Sequence, residues 1–446
     1  GKVPTPAGKQ RRFDAWEMWK SNRTSADPSQ RFSFWTMALQ ALKCKECGTT
    51  YPLEARFVCE QCFGPLETSY DFSGFDPEET KRKIQAGSAG IWRYADFLPF
   101  EGRPQDPLEP GLTPLVRADR LADHLGLGEL WIKNDAANPT HSFKDRVVAV
   151  AVAKARELGF DTVACASTGN LANAVAAHAA AAGLDSYVFV PADLEEQKLL
   201  ATGVYGTKLV GVRGTYDDVN RLCTQLAETR PWAFVNVNLR PYYAEGSKTL
   251  AYETVEQLGW TMPDRVVIPI ASGSLFTKVG RGLEEWLDIG LVEGELPTFN
   301  GAQAEGCNPV AAAFEAGWEI CKPVKPDTIA KSLAIGDPAD GPYALELARR
   351  TEGSIDSVTD QEIRDGIRLL AETTGVFTET AGGVTVATLA KLAERGEIDR
   401  GERVVAYITG EGLKTLDATR DRFAMHEIEP TLEDFERTVE HEQVAA

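Results

Sequence analysis

The sequence lacks any long apolar run. The longest candidates, such as VVAVAVA at residues 147–153, have the length of a helix core, whereas crossing a bilayer takes roughly 18 apolar residues. The first residues, GKVPTPAGKQRRF, also lack the apolar segment of a secretory signal peptide. We therefore expect a protein that neither spans a membrane nor is secreted.

Positive charge is also scarce. The 446 residues include 47 Lys and Arg against 66 Asp and Glu, which gives a formal net charge of −19. This charge repels polyanions, so nucleic acid and anionic lipid are not expected partners. An anionic ligand must instead meet a local cationic pocket. With 43% hydrophobic residues, the chain is long enough to bury one large core or two to three ordinary ones.

Cysteine is not dense enough for a disulfide framework, and eight cysteines in a chain of this length suit a reducing cytoplasm. Four of them, Cys44, Cys47, Cys59 and Cys62, form two C-x-x-C pairs joined by a short segment. This spacing predicts a ribbon that holds structural zinc through four thiolates. A nucleic-acid ribbon, a redox dithiol or a site that has lost its metal are the alternatives.

The chain after Gly111 alternates short β-branched strands with Ala-rich helices, which predicts an α/β fold around mainly parallel strands. The stretch HSFKDRVVAVAVAKARELG (141–159) predicts a helix with a polar first turn that ends at Gly159, and LANAVAAHAAAAG predicts another that ends at Gly183. The predicted strands are TVACA (162–166), SYVFV (186–190), KLVGV (208–212), AFVNV (233–237), RVVIPI (265–270) and VVAYIT (404–409).

Three small-residue loops follow predicted strands and precede helices: STGNL (167–171), ASGSL (271–275) and TGEGLK (409–414). Each alone is an ordinary turn, but such positions are where open α/β sheets bind anions through free backbone N–H groups. Lys144 in NPTHSFKDR (138–146) adds an amine near a helix N-terminus, where its neutral, nucleophilic form is favoured. Together they suit a Schiff base to pyridoxal phosphate, although a lone helix lysine is ordinarily a solvated charge.

NPTHSFKDR resembles the signature of the fold-type II pyridoxal-phosphate enzymes, and most closely that of the threonine synthase family. The resemblance covers residues 40–415 and follows the family's order of motifs, including the four-cysteine ribbon that some members carry. It implies a tryptophan synthase β-like fold with two α/β subdomains. The other matching motifs are GLTPL, STGN, NVNLR, EGSKT, ASGSL, QAEGC, SLAIGDP, ETAGG and TGEGLKT.

The resemblance assigns the cofactor-binding residues. Lys144 would carry the Schiff base and, once released, move protons at the substrate's Cα and Cβ. Asn170 would hydrogen-bond the ring hydroxyl oxygen. Thr409 would face the pyridine nitrogen as a neutral partner, which does not hold that nitrogen protonated as an aspartate would. The residues that would bind the cofactor phosphate are Ser272, Gly273, Ser274 and Leu275.

The family reaction converts O-phospho-L-homoserine and water into L-threonine and phosphate. Ser167 and Thr168 would hold the substrate carboxylate. Arg240 is the first choice for the substrate phosphate, because a guanidinium binds phosphate through paired hydrogen bonds. The other candidates in matching segments are Arg146, Lys248, Asn238 and Tyr242. Two alternatives remain: a cysteate synthase-like enzyme acting on O-phosphoserine with sulfite, and a zinc-ribbon interaction protein that has lost catalysis.

Three positions depart from the family pattern. His141 stands where many relatives have Gly, and we expect it to cap the helix or to contact substrate. Leu171 replaces a frequent hydroxyl residue, with Asn173 two residues later, so the carboxylate contacts are expected to be rearranged. Glu411 stands where Asp or Asn is commoner.

The same resemblance implies a domain plan and a homodimer. The small subdomain would be mobile and close on substrate to exclude water. The ribbon would precede both subdomains as an accessory unit. The predicted parts are an extension (1–38), the ribbon (39–75), a large pyridoxal-phosphate-binding subdomain (76–144 and 251–425), a small α/β subdomain (145–250) and a tail (426–446).

Overall fold

A computed structural model of the chain describes residues 38–214, 216–420, 423 and 425–440. The described residues form one compact unit. The predicted extension therefore lies outside the described residues except for Ala38, as do residues 441–446 of the predicted tail. Among the described residues, no helix has both the length and the apolarity of a membrane span.

The largest sheet has six strands in the order β12-β11-β10-β13-β5-β4. Neighbouring strands in this sheet pair in parallel, except that β4 runs antiparallel to β5. Strand β10 has β-branched residues at 266–268 and is buried throughout, as expected of a strand covered on both faces. The six strands are β4 (Leu115–Arg117), β5 (Glu129–Asn134), β10 (Arg265–Pro269), β11 (Thr298–Ala304), β12 (Ile355–Val358) and β13 (Arg403–Ile408).

A second sheet has four parallel strands in the order β8-β7-β6-β9. The predicted strand 233–237 is shortened to two residues, because the chain turns back after Phe234. The Val237 N–H donates to the Phe234 carbonyl, and the Asn238 side chain accepts from the Phe234 N–H. The four strands are β6 (Thr162–Ala166), β7 (Asp185–Pro191), β8 (Lys208–Val212) and β9 (Ala233–Phe234).

Helices connect and cover the strands. The two helices predicted from the sequence both form, and left-handed Gly159 and Gly183 follow their last turns. The α-helices are α1 (Pro77–Gln85), α2 (Asp119–Leu125), α3 (Lys144–Glu157), α4 (Asn170–Ala182), α5 (Glu196–Gly203), α6 (Tyr216–Thr229), α7 (Arg240–Glu245), α8 (Lys248–Gln257), α9 (Ser274–Asp288), α10 (Pro309–Glu315), α11 (Gly341–Arg350), α12 (Asp360–Thr374), α13 (Thr380–Glu394) and α14 (Leu432–Phe435).

The sequence 39–70 forms the predicted ribbon, a three-stranded antiparallel sheet in the order β2-β1-β3. Its buried side chains share one apolar cluster with α3 and the four-stranded sheet. The ribbon thus packs into the main body through this shared cluster and is not a separate accessory unit. Its strands are β1 (Leu39–Cys44), β2 (Thr50–Tyr51) and β3 (Leu66–Tyr70).

A close backbone contact joins α3 to the corner between α7 and α8. Gly246 lies at this corner, and a Cβ added to it would stand 2.5 Å from the Arg146 carbonyl oxygen and 2.6 Å from the Val147 Cα. Glycine is required here because no side chain fits between the two backbones. The six-stranded and the four-stranded sheets lie within the ranges predicted for the two subdomains, but the subdomain boundaries themselves stay a prediction.

Candidate active site

Lys144 is the first residue of α3, and the strand end beside it fixes its position. The Phe143 N–H donates to the Thr409 carbonyl at 2.9 Å, and Ser142 pairs with Gly410 in an antiparallel bridge. The half-buried Lys144 Nζ donates to the Tyr243 hydroxyl at 3.0 Å. The amine is therefore held at the carboxyl end of β13 while remaining accessible to a small molecule.

Asn170 opens α4 directly after the STG turn, and a buried carboxylate holds its amide. Asn170 Nδ2 donates to both oxygens of Glu379, at 3.0 and 3.1 Å. Ser167 is buried and Thr168 half-buried in the same turn. The Glu379 N–H in turn donates to the Gly410 carbonyl at 3.1 Å. These contacts place the Asn170 amide, Glu379 and the strand end next to Lys144 at one edge of the sheet.

The electrostatics of this edge are unusual. Burial raises the pKa of Glu379, although Asn170 and the ammonium groups of Lys414 and Lys144 oppose the shift. Burial likewise lowers the pKa of Lys414, against the attraction of Glu379 and Asp145. Both shifts favour the neutral forms of these groups, as expected where water is excluded.

Several polar groups here are fit to receive a polar cofactor. Ser142 Oγ, Lys414 Nζ and Thr380 Oγ1 are buried and have no hydrogen-bond partner among the described residues. Buried polar groups are rarely left in this state, so a ligand in this space would satisfy them. A Cβ added to Gly169 would meet open space, so the STG turn leaves room beside Asn170. The site therefore fits pyridoxal phosphate.

The predicted phosphate loop has the expected form. Gly273 adopts φ 93°, and Ser274 begins α9, so the first turn of a 15-residue helix presents free N–H groups. The loop packs on Asp340: the Asp340 N–H donates to the Ser272 carbonyl at 2.9 Å. A Cβ on Gly273 would lie 2.8 Å from the Asp340 backbone. Both the left-handed conformation and this contact require glycine.

Arg240, the first residue of α7, lies beside this loop. Its Nη2 donates to Asp340 Oδ2 at 2.8 Å, and its side chain is 31% exposed. The guanidinium therefore keeps donors that face solvent. Since α7 also carries Tyr243, the same helix links the phosphate loop to Lys144.

Arg146, predicted to bind substrate, is not brought to the site. Its guanidinium is buried and donates to Asp135, Glu253, Thr113 and Thr249, which uses all its nitrogen atoms. Burial of Glu253 opposes its ionisation, but Arg146 and Lys133 lower its pKa to about 2. The substrate role is thus replaced by a structural one in a buried ion-pair network.

Lys248 and Asn238, also predicted to bind substrate, are likewise used by the fold. Lys248 Nζ is buried and pairs with Glu245 at 2.7 Å and Glu285 at 2.9 Å. The Asn238 side chain accepts from the Phe234 N–H and donates to the Trp232 carbonyl, which closes the turn after β9. In the structure both side chains therefore hold neighbouring segments of the fold together.

The two neighbouring tyrosines of α7 have opposite roles. Tyr242, the residue chosen from the sequence, is buried and donates to the Glu54 carbonyl of the ribbon at 2.9 Å. Tyr243, which the sequence reasoning missed, contacts Lys144 instead. Successive helical residues point about 100° apart, so only one of the pair can face the site.

His141 does not cap α3. Its side chain is exposed, its φ is 62°, and the residue preceding the helix, Phe143, makes no side-chain cap. The left-handed conformation accounts for Gly in many relatives at this position. The Asn173 amide donates to the Ala201 carbonyl at 3.1 Å, and Glu411 caps the short helical turn that follows by accepting from the Leu413 N–H at 2.9 Å.

Glu379 and Lys414 were also missed by the sequence reasoning. Both lie in quoted motifs, ETAGG and TGEGLK, and their charge inside a glycine-rich motif was the available signal. Nothing in the local pattern indicates that the two motifs meet. Their proximity follows from the pairing of Thr378 with Glu411 in an isolated bridge.

The four ribbon cysteines converge as predicted. Their Sγ atoms all lie within 4.8 Å of one another, with Cys44–Cys62 at 3.5 Å and Cys47–Cys59 at 3.6 Å. Tetrahedral zinc at about 2.3 Å from each sulfur requires sulfurs about 3.8 Å apart. Although burial raises the pKa of Cys59, hydrogen bonds from the Tyr51 hydroxyl and backbone N–H groups lower it to about 6. The donor set and spacing fit zinc.

The chain has relatives among known proteins. Residues 107–410 match the model of the pyridoxal-phosphate dependent enzyme family. A threonine synthase of Methanocaldococcus jannaschii is 39% identical over 84% of this chain and 93% of its own. One of Methanosarcina acetivorans is 38% identical over 84% and 92%.

Solved structures show the same fold at lower identity. Maize serine racemase superposes with a TM-score of 0.57 at 19% identity, over 75% of this chain and 93% of its own. A fungal L-serine ammonia-lyase from Rhizomucor miehei gives 0.60 at 22%, over 71% and 99%. Its motifs, its fold and these relatives show that the chain belongs to the threonine synthase family of pyridoxal-phosphate-dependent enzymes.

Proposed function

We propose that the protein is a threonine synthase that converts O-phospho-L-homoserine and water into L-threonine and phosphate. The observation that carries the proposal is the position of Lys144, whose amine stands at the carboxyl end of β13 within hydrogen-bond distance of Tyr243. Two threonine synthases match this chain over more than nine-tenths of their own length, which supports the same activity.

Pyridoxal phosphate, when bound, supplies an aldehyde for the lysine amine and a conjugated ring that accepts electrons from the substrate's Cα. The N–H groups of the Ser272–Leu275 loop would hold its phosphate, and the buried Thr409 would face its ring nitrogen. Asn170 would orient the ring from one side, with Glu379 fixing the amide.

The chain's own groups would then handle protons and charge. Lys144 Nζ would take the Cα proton and return protons during the later steps, and the Tyr243 hydroxyl would keep it oriented. Ser167 and Thr168 would bind the substrate carboxylate. Arg240 would bind the substrate phosphate through donors that Asp340 leaves free.

A phosphate-release assay tests the proposal. Holoenzyme should release phosphate from O-phospho-L-homoserine without sulfite, and Lys144→Ala should abolish both release and borohydride-trapped attachment of the cofactor. Release from O-phosphoserine only when sulfite is present would overturn the proposal in favour of a cysteate synthase. No release from either substrate, with no cofactor attached, would favour a non-catalytic protein.

Zinc in the ribbon, a homodimer and a reducing cytoplasmic setting belong to the same proposal. Four converging thiols support zinc, and the absence of disulfides among the eight described cysteines supports the setting. Exposed Leu413 and Leu416, just after the TGEG loop, offer an apolar edge for a second copy. Metal analysis and analytical ultracentrifugation of the purified protein test the zinc and the dimer.

A further inference from the structure

The first cysteine knuckle of the ribbon, residues 44–47, contacts the helix that follows Asp340, the residue on which the phosphate loop packs. Lys45 Nζ stands 3.2 Å from the centroid of the Tyr343 ring, and the Tyr343 hydroxyl donates to the Glu46 carboxylate. Tyr343 lies in the first turn of α11, which begins directly after Asp340. The knuckle thus contacts a tyrosine that lies three residues after Asp340, the aspartate that contacts Ser272 and Arg240.

Lys45 belongs to a small group of charges around Asp340. Its ammonium is within electrostatic range of Lys278, Asp340, Glu67 and Arg240, and its side chain is only partly buried. Cations of this kind next to a phosphate loop are what an anionic ligand requires in a chain of net charge −19.

The other cations of the group already have carboxylate partners. Arg240 pairs with Asp340 at 2.8 Å, and Lys278 pairs with Glu245 at 2.6 Å. By contrast, across the part of the chain that the structure describes, no carboxylate oxygen lies within 4 Å of Lys45 Nζ. The aromatic ring covers one side of this ammonium and leaves its remaining donors for another anion.

We propose that Lys45 is a substrate-binding residue, contributed by the ribbon, whose ammonium binds the phosphate group of the substrate together with Arg240. This inference deepens the proposed function and relies on it only for the identity of the substrate. It gives the ribbon a part in catalysis: the four thiolates and their metal would set the position of the knuckle, and the knuckle would set the position of one substrate contact.

Lys45→Met removes the charge but keeps an apolar stem over Tyr343, so it tests the charge and not the packing. In holoenzyme, Lys45→Met should raise KM for O-phospho-L-homoserine about tenfold or more, as expected for the loss of a charged hydrogen bond, and leave kcat within about twofold. Lys45→Arg should restore most of the affinity. Lys43→Ala, an exposed lysine two residues earlier, should change nothing.

Binding of inorganic phosphate to holoenzyme, measured by calorimetry, gives a readout that needs no turnover. Lys45→Met should weaken this binding about tenfold while zinc content and melting temperature stay those of the parent. Unchanged KM and unchanged phosphate binding would overturn the inference. A lowered melting temperature or lost zinc with unchanged phosphate binding would also overturn it, since Lys45 would then only hold the ribbon on Tyr343.

Failure of the proposed function is separable from failure of this inference. If the parent protein releases no phosphate from O-phospho-L-homoserine, the proposed function fails, and the calorimetric comparison alone then decides the role of Lys45. If the parent is active, KM and calorimetry must agree for the inference to stand.

Discussion

The Asn170 amide donates to both carboxylate oxygens of Glu379, at 3.0 and 3.1 Å, across 209 residues of sequence. The pair joins the STGN turn to the ETAGG motif at the edge where Lys144 lies. Because each partner is held by the other, Glu379 fixes the amide that is proposed to orient the cofactor ring. This makes Glu379 a positioning residue.

Replacement of Glu379 should alter the pH dependence of stability. Burial raises the pKa of Glu379 above the ordinary value of 4.5. The stability that this group contributes is therefore complete below about pH 4.5 and is lost as the pH rises through the folded-state pKa. Glu379→Gln places a side chain that does not titrate at this position. The unfolding free energy of the variant minus that of the parent, measured by urea titration, should therefore increase from pH 4.5 to pH 8. The control Glu394→Gln, at an exposed position, should show no such trend. If the unfolding free energies of Glu379→Gln and the parent changed in parallel with pH, the prediction would be wrong.

The two tyrosines of α7 should separate catalysis from stability. Tyr243→Phe removes the hydroxyl that contacts Lys144, and kcat should fall about tenfold with the melting temperature unchanged. Tyr242→Phe removes a hydrogen bond to the Glu54 carbonyl, which should cost about 1 kcal/mol of stability with kcat unchanged. Steady-state kinetics and urea unfolding of both variants measure the contrast, and the reverse pattern would place Tyr242 at the site.

Loss of Arg146 should destabilise the fold. Arg146→Met leaves the buried Asp135 without a cationic partner and Glu253 with Lys133 alone, so unfolding free energy should drop by about 3–5 kcal/mol. The control Arg368→Ala, a side chain 57% exposed, should change it by less than about 0.5 kcal/mol. A stable Arg146→Met protein with a raised KM alone would restore the substrate role expected from the sequence.

Removing one ribbon cysteine should remove the metal. Cys59→Ser takes away a buried ligand, and zinc measured by mass spectrometry should fall from one ion per chain to none, with a lower melting temperature. Cys321 lies outside the cluster, so Cys321→Ser should retain the ion. Equal zinc in both variants would show that the metal binds elsewhere.

Strands and helices were predictable where the pattern was continuous. The β8 segment KLVGV has the bounds expected, and α3 ends at Glu157, two residues before the glycine expected to stop it. The end of strand β9 was not, because the Asn238 side chain accepts the Phe234 N–H where the chain turns back, and a hydropathy pattern contains no such information. The family and cofactor followed from motifs whose spacing is visible in the sequence.

Contacts between motifs were not predictable in the same way. Lys144 and Arg146 stand in one motif, yet residues two apart on a helix point about 200° from each other, so they face different surroundings. Arg146 turns into a buried network with partners 11 and 107 residues away. The direction of each side chain depends on which elements pack on α3, and local sequence does not specify that.

The contact at Gly246 limits how the molecule can move. Since the backbone of this corner touches the backbone at Arg146, the segment bearing Tyr243 cannot slide past the helix bearing Lys144. Any hinge between the proposed subdomains would therefore lie outside both, and the amine and its hydroxyl neighbour would stay together as the cleft opens. The reacting pair would then keep its alignment through every cycle of substrate entry and product release.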